Sequence, residues 1–141
     1  MFAVGFSLLA ILLMLVYFKR KRLVPVDPRA IREMAHTQAV ELLANMEPSS
    51  ARDAALQASL ILRRYLSSAT GDPALFETHE ETIARHEALK EFSDETKAAV
   101  GQGFSHLAAM KYAHDIPDVP PVEVLEESRA LLETLHHGFR E

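Results

Sequence analysis

Cysteine is absent from the 141 residues, which removes a disulfide framework, thiolate metal sites and a cysteine nucleophile. No stretch alternates apolar and polar residues for long enough to form a half-buried strand. The Gly-x-Ser-x-Gly elbow of serine hydrolases does not occur. Gly101-Gln102-Gly103 has neither the strand before it nor the Lys after it that a phosphate-binding loop requires, so it is read as a packing feature. Charge is missing from one place in particular. Met1 to Phe18 contains no charged side chain, and 16 of its 18 residues are apolar.

The residues present divide the chain at that point. Hydrophobic residues make up 48% of the whole and the formal net charge is −5. Without the first 18 residues the apolar share falls to about 42%, ordinary for a soluble domain. Lys19-Arg20-Lys21-Arg22 contributes +4, and Leu23 to Glu141 carries 11 positive against 20 negative side chains, a net −9. A domain of that charge lacks the clustered Lys and Arg that a nucleic-acid backbone requires, so nucleic acid is not expected among its partners.

An apolar helix needs about 20 residues to cross roughly 30 Å of hydrocarbon, and 18 residues at about 1.5 Å each reach roughly 27 Å. A cleaved signal peptide would begin with basic residues and end in small ones. Here no Lys or Arg precedes the apolar run, four follow it, and Leu15-Val16-Tyr17-Phe18 is bulky where cleavage would need small side chains. Residues 1–18 are therefore expected to be a retained transmembrane anchor. Residues 19–28 follow as a basic collar and linker, with Lys19, Arg20, Lys21 and Arg22 at the membrane interface beside anionic lipid. Basic residues stay on the cytoplasmic side, which predicts an outside N-terminus and a cytoplasmic domain over 29–141, in a bacterial inner membrane. Gly5 and Ser7 lack the spacing of a helix-dimerisation motif.

The remainder has helical periodicity throughout. Asp27 is the expected N-cap and Pro28 the first residue of a helix whose apolar stripe is Ile31, Met34 or Ala35, Leu42, Leu43 and Met46, ending before Pro48. Ser50 with Asp53 resembles a capping box, and the following run to Ser68 is expected to bury Leu56, Leu60, Ile61 and Tyr65 before Thr70-Gly71-Asp72-Pro73 stops it. Thr78-His79-Glu80-Glu81 caps a short helix through Phe92, with Ile83 and Leu89 inward. Ser93-Asp94-Glu95 opens a helix with Val100, Phe104, Leu107, Ala108 and Tyr112 on its apolar side, and Gly101 and Gly103 predict a kink or a close crossing. A last helix from about Pro121 to His137 presents Val124 or Leu125, Ser128, Leu131, Leu132 and Leu135, with Gly138 as its cap. The expected fold is all-α, a bundle of about five helices behind a transmembrane helix.

Histidine is the one conspicuous metal-ligating residue, with seven copies. His79 and His86 share a side of their helix with Glu80, Glu87 and Glu91, the basis for a membrane-tethered metal-dependent hydrolase as the third-ranked function. The zincin helix places its histidines four apart, however, and exposed polar positions explain this pair without a metal. His106 and His114 flank an apolar stripe, and His136-His137 suits the negative end of a helix dipole. Paired acids such as Glu126-Glu127 near helix starts are accounted for in the same way. No catalytic residue, cofactor or metal ligand is assigned, and the chain is expected not to be an enzyme. Arg63 and Arg64 adjoin Tyr65, so at most one can share its buried face. Solvation or local pairing accounts for such arginines. The functional alternative makes Arg63, Arg64 and Lys111 an island of positive charge open to an acidic partner surface.

The ordered series Leu62-Arg63-Arg64-Tyr65-Leu66, Gly71-Asp72-Pro73-Ala74-Leu75, Thr78 with Glu80-Glu81, and Met110-Lys111-Tyr112-Ala113 before a proline-rich link and a Glu-rich last helix resembles a known family. These are the cytoplasmic helical domains of small membrane-anchored bacterial proteins of unknown function encoded beside MoxR-type AAA+ ATPases and von Willebrand factor A proteins, including the tails of the BatD group. The resemblance covers roughly residues 10 to 137 and carries over no catalytic residues. It implies an accessory or adaptor protein that binds a protein partner in an envelope-associated chaperone or maturation system. A self-associating membrane scaffold, a homo-oligomer, is the alternative.

Overall fold

The computed structural model describes residues 13–17, 26–71, 90–115 and 118–139. Among the described residues helices are the only regular elements apart from one isolated β-bridge, Phe92 with Phe139, so the fold is all-α as expected. Four helices form the packed body: α1 Pro28–Ala44, α2 Ala51–Thr70, α3 Asp94–Tyr112 and α4 Pro121–His137. The expected helix over 78–92 falls almost entirely outside the described residues, as do most of the expected anchor and the whole basic collar. Residues 13–17 are helical with exposed side chains, and no helix among the described residues is long and apolar enough to cross a membrane.

The helix ends follow the chemistry of their caps. The Asp27 carboxylate accepts the Arg29 backbone N–H at 3.0 Å, with Pro28 supplying a preset φ at the first helical position. Ser50 accepts from the Asp53 N–H at 3.1 Å, while Asp53 reaches back to the N–H of Ser49 at 3.0 Å, one residue earlier than a standard capping box. Gly71 closes α2 with φ +72, a left-handed conformation that favours glycine. Ser93 caps α3 through the Thr96 N–H. Arg52 on α2 donates to the Ala113 carbonyl, which pins the end of α3 to the start of α2.

Helix α2 packs against α1, α3 and α4, and its buried face is made of small residues: Ala51, Ala54, Ala55, Ala58 and Ser59, followed by Leu62, Tyr65 and Leu66. This corrects the sequence-based stripe, because Leu56 is 55% exposed and Leu60 47% exposed. In α1 the buried residues are Ala35, Ala39 and Leu43, spaced four apart, whereas Met34 is 74% exposed and Ile31 and Leu42 also reach solvent. Both shifts have one cause. Alanines let helix axes approach closely, and the rotation that turns them inward turns the larger apolar residues out. In α3, Met110 takes the buried position expected of Tyr112, which is exposed, while Val100, Phe104 and Leu107 lie inside as anticipated. All six residues anticipated for α4 are buried.

The glycine pair in α3 does mark a close crossing, at Gly103. A Cβ built there would fall 2.6 Å from Leu131 Cδ2 on α4. Replacing Gly103 by Val should therefore destabilise the fold by about 1–3 kcal/mol, despite the better helix propensity, as read by the midpoint of chemical denaturation.

Candidate functional site

The polar side chains that converge most closely lie where α1, α2 and α4 meet. Glu33 and His36 are three apart on α1 and thus share one face; Glu133 and His136 have the same spacing on α4. The two faces are crossed. His36 Nε2 donates to Glu133 Oε1 at 2.7 Å, and His136 Nε2 lies 3.4 Å from Glu33 Oε1. Between them the imidazoles stack, with ring centroids 3.9 Å apart and planes 14° from parallel. His137 adds a contact to the second Glu133 oxygen at 3.2 Å.

Tyr65 closes the site from α2. Its hydroxyl is hydrogen-bonded to His136 Nδ1 at 2.9 Å, and its ring is buried. Burial raises the phenol above its ordinary value, so it remains a neutral hydroxyl. Burial, reinforced by the adjacent His36 ring, holds the His136 imidazole below its ordinary value and favours the neutral form. The hydrogen bond from His36 lowers the Glu133 carboxyl, which therefore stays ionised. Arg32, next to Glu33, is engaged elsewhere: it lies 3.9 Å from Glu91 and stacks over the Phe139 ring. A ligand-bearing atom from each of Glu33, His36 and His136 falls within 4.8 Å of the others.

The site is not the one the sequence singled out. His79, His86, Glu80 and Glu87 lie outside the described residues, and Glu91 is the partner of Arg32. His106 is exposed and pairs with Glu127 at 2.9 Å, and His114 is exposed. His136-His137 does occupy the last turn of α4 as expected, but His136 also faces α1 and α2. His36 and Glu33 escaped notice because each stands among other polar residues of its helix, Arg32 beside Glu33 and Thr37-Gln38 after His36. The available signal was Glu-x-x-His, a spacing that occurs only at 33–36 and 133–136.

The three cationic candidates are divided. Arg63 is half-buried, and its charge, after burial, helps lower Lys111 below its ordinary value, so these two share the α2–α3 side. Arg64 is exposed and borders the groove between α1 and α2.

The chain matches no protein-family model, no curated protein and no solved structure. Chemical capability is accordingly read from the geometry. Two imidazoles and two carboxylates, half-open to solvent, can exchange protons or hold a cation. A Tyr65→Phe substitution leaves His136 Nδ1 without its protein partner and should cost about 1 kcal/mol of stability, measured by urea denaturation with an unchanged slope.

Proposed function

We propose that the chain is a single-pass membrane-anchored accessory protein whose helical domain binds a protein partner through the groove between α1 and α2. The observation that carries this reading is the apolar surface left in solvent there: Ile31, Met34, Leu42 and Leu60 are all exposed. Two open concavities, of about 760 and 340 Å³, run along it. A smaller one lined by Ala35, Gln38, Leu42 and Ile61 joins them. Contiguous apolar surface bordered by polar residues is the mark of a protein-binding face. A groove between two helices accepts an amphipathic helix, which supplies apolar anchors at three- and four-residue spacing. Glu33, Glu41 and Glu47 line its edges against Arg64, the one cation among the described residues that border it, which favours a helix with mainly basic flanks. Arg63 and Lys111 form a separate basic spot on the α2–α3 side.

The uncharged run 1–18 and the collar Lys19 to Arg22 support an anchor in a bacterial inner membrane and a cytoplasmic side for the domain. The family resemblance supports a MoxR-type AAA+ ATPase or a von Willebrand A protein as the partner. Nothing in this reading requires chemistry by the chain itself.

Affinity capture with the full chain, solubilised from membranes in detergent, tests both levels. Recovery of an AAA+ ATPase or von Willebrand A protein is expected, reduced at least tenfold by Met34→Glu with Leu60→Glu, the order of loss for a central contact. Undiminished capture by that variant would remove the groove as the binding face. Recovery of neither protein class would remove the proposed system. A fluorescent reporter fused after Glu141 should be shielded from protease added to spheroplasts.

A further inference from the structure

We propose that Glu33, His36 and His136 form a binding site for a first-row divalent cation of the zinc class, with Glu133 and Tyr65 as the groups that orient the two histidines.

The donor set selects the metal. Two imidazole nitrogens and one carboxylate oxygen suit zinc and its first-row neighbours, whereas magnesium and calcium favour all-oxygen shells. With three protein ligands the fourth tetrahedral position remains for water. The ligand atoms already lie within 4.8 Å of one another. Bonds of about 2.0–2.1 Å require them to close somewhat further, which side-chain rotation provides. Glu33 is well placed to move, since its side chain is 63% exposed.

The second observation is the way each ring is tied. A metal-bound histidine characteristically gives its other ring N–H to a carboxylate, carbonyl or similar acceptor, which fixes the tautomer. His36 offers Nε2 to Glu133, leaving Nδ1 as the lone-pair nitrogen. His136 Nδ1 is hydrogen-bonded to the Tyr65 hydroxyl and its Nε2 faces Glu33; in the metal-bound form Nδ1 donates to that hydroxyl and Nε2 turns its lone pair to the ion. Two independent partners thus hold the two rings side by side, and because their planes are 14° from parallel one ring turns out of the stack for both lone pairs to meet one ion.

Charge gives a third reason. Two carboxylates, Glu33 and Glu133, meet the two rings. Two protons are an unfavourable neutraliser, because two imidazolium rings stacked at 3.9 Å would repel. One divalent cation supplies the same charge without that repulsion.

The test uses the full chain in detergent, without a histidine tag and stripped with chelator, titrated with Co²⁺ and then Zn²⁺. One equivalent of Co²⁺ is expected to bind with the intense visible absorption of a tetrahedral site, and Zn²⁺ to displace it. His36→Gln and His136→Gln should each weaken binding at least tenfold, and Tyr65→Phe about tenfold, the range for loss of an orienting partner. His106→Gln should leave binding unchanged. Circular dichroism reports whether each variant keeps its helices. Should His136→Gln unfold, the partly exposed pair Glu33→Gln and His36→Gln decides. Substoichiometric binding by the wild-type chain, or retention of the site by a folded Glu33→Gln/His36→Gln variant, would overturn the proposal.

Discussion

The small-residue face of α2 is the constraint from which the remaining geometry follows. Ala51, Ala54, Ala55, Ala58 and Ser59 occupy positions where larger side chains would hold the neighbouring helices apart. With them, α1, α3 and α4 all pack on one helix, and α1 and α4 come near enough to touch each other along their polar seam. Gly103 does the same for α3 and α4, which meet with Leu131 lying over the glycine. The large residues of the core then fill the ends of this arrangement: Leu43 from α1, Leu62, Tyr65 and Leu66 from α2, Leu132 and Leu135 from α4. At one end the Phe92 and Phe139 rings pack tilted by 48° with centroids 4.6 Å apart, which ties the chain before α3 to the residues after α4.

Close packing on alanine has a consequence for the surface. A helix that buries its small residues must present its larger apolar ones elsewhere, and here Ile31, Met34, Leu42 and Leu60 emerge along the groove between α1 and α2. A bundle whose aim was only stability would turn Met34, Leu56 and Leu60 inward, where each would contribute roughly 1.5–3 kcal/mol of burial. Leaving them in water is the kind of local conflict with folding that marks a functional surface.

That same choice decided what the sequence could reveal. In α4 the buried residues are large and evenly spaced, Val124 through Leu135, so periodicity alone located them. In α1 and α2 periodicity gave the helices and their N-caps, carried α1 three residues past its end at Ala44, and rotated the inner faces, because the hydrophobicity of leucine and methionine outweighs that of alanine in any such pattern. Tyr65 was legible as core, yet its role on His136 was not, since 71 residues separate them. The candidate site shared that difficulty. His36 meets His136 across 100 positions, and only the matched Glu-x-x-His spacing, equal on two helices, hinted that the two faces belong together.

Glu33 connects the two proposed surfaces. Its carboxylate belongs to the histidine cluster, and its side chain also lines the larger concavity between α1 and α2. A cation held by Glu33, His36 and His136 would draw that carboxylate toward α4 and remove one acidic group from the groove. An amphipathic helix with a basic residue at that point would draw it the opposite way. Whatever fixes Glu33 in one position therefore weakens the other use of it, and the coupling is reciprocal because both events draw on the same side chain. The size of that coupling is bounded by the weaker of the two interactions, an ion pair screened by water at a side chain 63% exposed and worth roughly 0.2–1 kcal/mol. Partner binding would thus be modulated by the cation, and not switched by it.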